Sequence, residues 1–250
     1  MPQPLHILWQ DDHLVAVYKP AGWLVHRTGL DAGETRFVMQ TLRDQLGRHV
    51  YPVHRLDKGT SGVLLMALDP DAARATTQLF ETRQTSKDYV ALVRGWPAPQ
   101  MRVEHALKPD DAPDDALPQE AVTRFQRLAT LQLDVPVDRY PSTRVALVQA
   151  QPETGRRHQI RRHLKHMAHP IIGDATHGKG AHNRWWAEQL GQQRLWLHAS
   201  RLAFVNPFSG QPVEIGSDWR DPRQNADWCR LQQDWLWQWD APASLATDAS

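Results

Sequence analysis

The apolar residues of this chain come in short runs that are repeatedly stopped, and this is its strongest constraint on a fold. Leu14-Val15-Ala16-Val17-Tyr18 is a β-rich run that ends at Lys19-Pro20-Ala21-Gly22, where Pro20 has no amide hydrogen to give a ladder. Ile7-Leu8-Trp9 precedes it across the polar turn Gln10-Asp11-Asp12-His13. The same reading predicts strands at Val63–Ala67, Tyr89–Val93, Val122–Leu128, Thr143–Gln151, Leu195–His198 and Leu202–Val205, with Val103–Leu107 as an edge piece inside an otherwise loop-like Trp96–Gln119.

Three windows carry helical spacing instead. Val38, Leu42 and Leu46 recur between Glu34 and Leu46, and Gly47 follows as a C-terminal cap. Asp69-Pro70 opens a second helix, with Ala72, Ala75 and Leu79 on its apolar side. A basic helix is expected over Arg157–Met167, with Arg157 and Arg161 on one face at i, i+4. Near the end, Trp228, Leu231, Trp235 and Trp239 fall on one helical stripe, expected to be a docked apolar face rather than a base-stacking platform. Residues 1–216 are expected to form the catalytic domain and 217–250 a Trp-rich helix with a disordered tail.

Charge is informative through its distribution. Lys and Arg total 29 against 28 Asp and Glu, a net charge of +1. Yet Arg156–His166 holds four arginines, one lysine, three histidines and no acid, while Asp110–Glu120 holds five acids and no base. A concentrated basic surface is compatible with an RNA partner at one face. No apolar run is long enough for a membrane span, no signal-peptide pattern opens the chain, and the single cysteine, Cys229, excludes an internal disulfide. The expected location is the cytoplasm.

The densest chemistry lies in His54-Arg55-Leu56-Asp57-Lys58-Gly59-Thr60-Ser61-Gly62. A carboxylate among cations stays ionised, available as nucleophile or base, and the glycines allow close approach of a substrate. On residue types alone, a turn in which Asp57 caps a neighbour and pairs with Arg55 would serve equally. Histidines 158, 163, 166, 169, 177 and 182 raise a zinc site as a competing reading, but no acid accompanies them in a metallohydrolase pattern, and no metal or other cofactor is expected.

This string resembles the catalytic motif of the RluA-type RNA pseudouridine synthases. Lys19-Pro20-Ala21-Gly22, Lys87–Gly95, Thr154–Leu164 with His169–Asp174, and Leu197-His198-Ala199 with Asn206–Gly210 are similar to the family's other motifs in order, Asn206 standing where a histidine is more usual. Gly22–Arg27, Tyr140–Arg144 and Gly155–Gln159 resemble a subgroup that acts on tRNA, at uridine 65 on the acceptor-proximal side of the T arm.

The resemblance implies a mixed α/β (α+β) domain around a long, mainly antiparallel sheet with flanking helices and a central active-site cleft. It implies an isomerase that breaks the bond from N1 of uridine to the sugar and rejoins the sugar at C5, with no cofactor. By motif position Asp57 is the essential carboxylate, Arg161 its partner, and Tyr89 a stacking group for the target base that could also relay a proton. Arg55 would fill the stack vacated by the flipped uridine. His54, Lys87, Arg156, Arg157, His158, Arg162 and Lys165 would contact RNA. A monomer with no obligate protein partner is expected. Two other functions compete: the same chemistry on ribosomal RNA, and an RNA-binding protein or chaperone without catalysis, against which the complete Asp57, Tyr89 and Arg161 set argues.

Overall fold

The computed structural model describes residues 4–26, 36–110, 112–113 and 115–241. Among these, the apolar runs assemble into one eleven-stranded sheet. Strands β1 (Ile7–Gln10), β2 (Leu14–Lys19), β3 (Tyr51–Pro52) and β4 (Ser61–Ala67) form one half. Strands β5 (Thr85–Arg94), β6 (Gln100–Glu104), β7 (Val122–Leu133), β8 (Thr143–Pro152), β9 (Leu197–Val205), β10 (Pro212–Gly216) and β11 (Gln238–Trp239) form the other. The main path runs β1-β2-β4-β9-β5-β8-β7-β11, with β3, β6 and β10 paired on β4, β7 and β9.

Every named pairing is antiparallel except one. β4 meets β9 in parallel, through Ser61 opposite His198 and Gly62 opposite Ala199. The halves join there, and the approach is close. A Cβ on Gly62, whose φ is +110°, would lie 2.1 Å from the Ala199 carbonyl oxygen, so this position requires glycine. The segment His54–Thr60 leads into this junction and is thereby set at mid-sheet.

The helices are α1 (Val38–Leu46), α2 (Pro70–Glu81), α3 (Gln159–His166), α4 (Gly180–Leu190) and α5 (Pro222–Gln233). α1 ends at Gly47 in the left-handed conformation, and Asp69 caps α2 by accepting from the Ala72 amide. Of the expected first helix, Glu34 lies outside the described residues. The mixed α/β architecture with a mainly antiparallel sheet is the expected one.

Three local readings need correction. The two pieces at 195–198 and 202–205 are a single strand, β9. Its partner β5 pairs Asp88 with Arg201 and Tyr89 with Ala199, which leaves Ser200 as the extra residue of a bulge. Arg157 precedes α3 rather than lying on it, because His158 takes a left-handed N-cap conformation at φ 54°. The tryptophan stripe is not one helix. α5 stops at Gln233, and Trp239 sits in β11 on the edge of β7, held there by the Arg127–Asp240 ion pair at 2.7 Å. The short helix α4 and strand β10 carry no clear periodicity in the sequence.

The docked-face reading of the tail does hold for its buried members. Trp228 and Leu231 have no exposure, and the Trp228 ring lies edge-on to Trp196 at 5.1 Å and Trp219 at 5.7 Å. Residues 242–250, expected to be disordered, lie outside the described residues.

Candidate active site

The His54–Thr60 segment forms one wall of a cleft of about 590 Å³. Tyr89 and Lys87 of β5 form its floor, and Gly155–Arg161 its opposite wall. Tertiary structure thus brings together Asp57, Tyr89 and Arg161, whose motifs lie 32 and 104 residues apart from Asp57's own. His54, Arg55, Lys87, Arg156, Arg157 and His158 also line it. Arg162 and Lys165 do not. Arg162 donates to the Lys108 carbonyl at 2.7 Å, and Lys165 is exposed on the last turn of α3.

The Asp57 carboxylate is one end of a three-residue charge chain. Arg161 Nη1 donates to Asp57 Oδ2 at 2.9 Å. The other edge of the guanidinium is gripped by Asp174, Nε to Oδ2 at 2.7 Å and Nη2 to Oδ1 at 2.8 Å. Asp174 is itself fixed, its Oδ1 accepting from the Thr176 and His177 amides, both at 2.9 Å. Fork-to-fork pairing of this kind sets a guanidinium's plane as well as its position. Burial works against the charge on Arg161, but the two carboxylates outweigh it and raise its pKa further. Burial likewise pushes Asp174 up, while the hydrogen bonds from Arg161 and the two amides bring its pKa net below the usual range.

The side chain of Asp57 remains 23% exposed to the cleft, whereas that of Asp174 is fully buried. Only one of the two carboxylates can meet a substrate. Tyr89 stays a neutral phenol, because burial and then the nearby Asp57 charge raise its pKa. It can stack or donate a hydrogen bond but not act as a phenolate. Lys87 is pulled down by burial, and His158 is pulled down by burial against the opposing effect of Asp57, 3.7 Å from its Nε2.

The loop that carries Asp57 is pinned from beneath by Lys19. Its side chain is wholly buried, and Nζ donates to the carbonyls of Pro20 at 3.1 Å, Lys58 at 3.0 Å and Thr60 at 2.7 Å. Burial lowers its pKa to about 7, with Asp57 resisting. One residue further, Ser61 Oγ meets His198 Nδ1 at 2.9 Å and accepts from Arg194 Nη2 at 2.9 Å. Arg194 in turn pairs with Asp227 of α5 and lies over the Trp196 and Trp228 rings. His54 accepts from the Leu65 amide at 2.9 Å and stacks on Phe80, and burial followed by Lys87 lowers its pKa to about 3. Its ring is neutral and one nitrogen is occupied.

Sequence reasoning named Asp174, Lys19 and Gln159 within motifs but gave them no role. Gln159 accepts from Thr154 Oγ1 and the Arg156 amide and donates to Val122 O and Thr123 Oγ1, tying the start of α3 to β7. The only available signal was the placing of a carboxylate, an amide and a lysine at turns next to strand-like runs. The acidic segment also has an unforeseen partner in the basic one. Asp110 lies 3.4 Å from each of Arg157, His158 and Arg162. No group of three or more potential metal ligands occurs among the described residues.

Residues 13–166 match the family model described as RNA pseudouridylate synthase. The chain belongs to the RNA pseudouridylate synthase family. It is an isomerase that converts uridine to pseudouridine in RNA. Among its relatives, tRNA pseudouridine synthase C of Yersinia pestis is 46% identical over 245 residues, 95% of this chain and 93% of that protein. The Salmonella typhi protein of the same name is 51% identical over 218 residues, 84% of each chain. Of solved structures, Human RNA Pseudouridylate Synthase Domain Containing 1 superposes with a TM-score of 0.69 at 25% identity, covering 96% of this chain and 91% of that one. No helix among the described residues is long and apolar enough to cross a membrane.

Proposed function

We propose that this enzyme isomerises uridine 65 of tRNA, on the acceptor-proximal side of the T arm, with Asp57 as the carboxylate that acts on the nucleotide. One observation carries the assignment of Asp57. It is a carboxylate open to the cleft, and Arg161 orients it from behind while Asp174 fixes Arg161. The hydrogen bond from Arg161 holds Asp57 aimed before substrate arrives, so no reorganisation is needed at the moment of reaction.

In the reaction, the bond from N1 to C1′ of the sugar breaks and a bond from C5 to C1′ forms. The proton on C5 leaves and one is gained at N1. Asp57 has three routes open to it: attack on the sugar, addition to the base, or removal of a sugar proton. Each needs an ionised carboxylate. Tyr89 would stack on the extruded base. Arg55, exposed at the cleft mouth, would plug the gap left in the stem, since unstacking a paired base costs a few kcal/mol. Arg156, Arg157 and His158 on the opposite wall would contact phosphates, with Arg162 and Lys165 continuing that surface along α3.

The choice of tRNA draws on the names of the relatives, and position 65 on the likeness of Gly22–Arg27, Tyr140–Arg144 and Gly155–Gln159 to the tRNA-acting subgroup. A monomeric enzyme in the cytoplasm fits that role. The test is purified protein incubated with unmodified tRNA and with ribosomal RNA fragments, followed by carbodiimide-dependent reverse-transcription mapping. Asp57→Asn should bind the tRNA and form no pseudouridine. Turnover by a preparation free of deamidated protein would remove Asp57 from the role. Modification confined to ribosomal RNA or to a tRNA loop would refute the substrate.

A further inference from the structure

The basic wall that faces Asp57 across the cleft already holds an anion of the chain's own. Asp110 Oδ2 lies 3.4 Å from Arg157 Nε and 3.4 Å from His158 Nδ1, and Asp110 Oδ1 lies 3.4 Å from Arg162 Nη1. One carboxylate is thus shared among three basic side chains. Well-made charge-assisted bonds close to about 2.7–2.9 Å. The inner pair on the same helix shows them, with Asp174 gripping Arg161 at 2.7 and 2.8 Å and no exposure of its own side chain. The side chain of Asp110 is 29% exposed, and its three contacts are all longer. Long, shared and solvent-accessible ion pairs are weak ones.

The segment that carries Asp110 is tied down just before it. His163 Nε2 donates to the His105 carbonyl at 3.0 Å, and Leu107 and Gln119 exchange backbone hydrogen bonds at 2.8 and 3.0 Å. Arg162 Nη1 donates to the Lys108 carbonyl at 2.7 Å. These ties fasten the segment to α3 and leave Asp110 two residues beyond Lys108, so its side chain can swing off the wall without breaking them. The ring of His158 joins this place to the chemistry. Its Nδ1 faces Asp110, while its Nε2 lies 3.7 Å from Asp57 Oδ2.

A carboxylate and a phosphodiester offer a guanidinium the same thing, a pair of acceptor oxygens that share one negative charge. We propose that Asp110 stands in for a backbone phosphate of the RNA, and that substrate displaces it to reach Arg157, His158 and Arg162. The phosphate it replaces belongs to the target nucleotide or its neighbour, because Asp57 is one imidazole ring away. In the free enzyme the stand-in keeps the charges of the wall paired. The exchange weakens every RNA complex, so RNA that offers phosphates alone gains little from this wall. The inference rests on the reading of the wall as a phosphate contact of the substrate.

The test compares Asp110→Asn with Asp115→Asn, which alters an exposed acid of the same segment and changes net charge equally. Thermal denaturation confirms that both fold. Affinity for an unmodified tRNA transcript is measured across a potassium chloride series. With no internal anion to displace, Asp110→Asn should bind about three- to tenfold more tightly at low salt. Its log–log salt slope should be steeper by about one, because no freed carboxylate takes up a counterion. Asp115→Asn should move affinity by less than about twofold. Arg157→Gln should weaken binding by itself and shrink the gain when combined with Asp110→Asn. If Asp110→Asn binds no more tightly than wild type or than Asp115→Asn, while Arg157→Gln still binds more weakly, the stand-in is overturned and the wall remains an RNA contact. If Arg157→Gln costs no affinity in either background, the reading of the wall has failed and the stand-in falls with it.

Discussion

Replacing Asp174 by Asn keeps shape and volume but reverses one hydrogen-bonding group, and the structure says what that should do. Oδ1 of Asp174 accepts from two backbone amides and from Arg161 Nη2, so an asparagine carbonyl would be held there. The new amide nitrogen would then face Arg161 Nε at the present 2.7 Å contact, a donor against a donor. The site has no exposed side-chain surface on the Asp174 side, so water cannot intervene cheaply. Leaving a buried guanidinium short of its partner costs about 3–5 kcal/mol. At about 2–4 °C per kcal/mol for a chain of this size, the melting temperature should fall by roughly 6–20 °C.

Catalysis should suffer separately. The hydrogen bond from Arg161 to Asp57 depends on the guanidinium plane that Asp174 sets, and a charge-assisted bond of this kind is worth about 1.5–3 kcal/mol. A single-turnover rate lowered by about 10- to 150-fold is expected at a temperature where the variant is fully folded. The assay is tritium release from RNA carrying [5-³H]uridine, since forming the C5–C1′ bond displaces that hydrogen. A variant with an unchanged melting temperature, or with a single-turnover rate within threefold of wild type, would show that Asp174 does not position Arg161.

Two further outcomes follow from groups behind the cleft. His198 is unexposed, and burial lowers its pKa to about 4 from 6.5. The unfolded chain therefore binds a proton that the folded one refuses, and stability from this group is lost as pH falls from 6.5 towards 4, about 2 kcal/mol of it by pH 5. Urea unfolding at pH 7.5 and 5.0 should show His198→Asn losing less stability over that interval than wild type; equal losses would contradict the assignment. Asp227→Ala leaves Arg194 with Ser61 as its remaining side-chain hydrogen-bond partner and should lower stability by about 1.5–3 kcal/mol, read as a melting temperature some 3–12 °C lower. No measurable shift would mean that the α5 contact does not brace the catalytic loop.

Local chemistry determined a good part of this protein. The stop at Lys19-Pro20, the cap at Asp69 with Pro70 behind it, and Gly47 at the end of α1 each act through the backbone of neighbouring residues, so the residue types alone suffice to place them. The ordered motifs likewise pointed to Asp57, Tyr89 and Arg161, and the structure places all three in one cleft. What tertiary structure decided is each feature whose partner lies far along the chain. Trp235 and Trp239 have helical spacing on paper, yet the open edge of β7 takes Trp239 into a strand because its backbone groups gain ladder hydrogen bonds there. Ser200 looks like a break between two strands, yet it is the extra residue of a bulge in β9 opposite a regular β5, and the strand runs on through it. Lys19 and Asp174 look like ordinary surface charges in the sequence. They become supports of the site because folding removes water from them and leaves the carbonyls beneath the Asp57 loop, and the Arg161 guanidinium, as their partners.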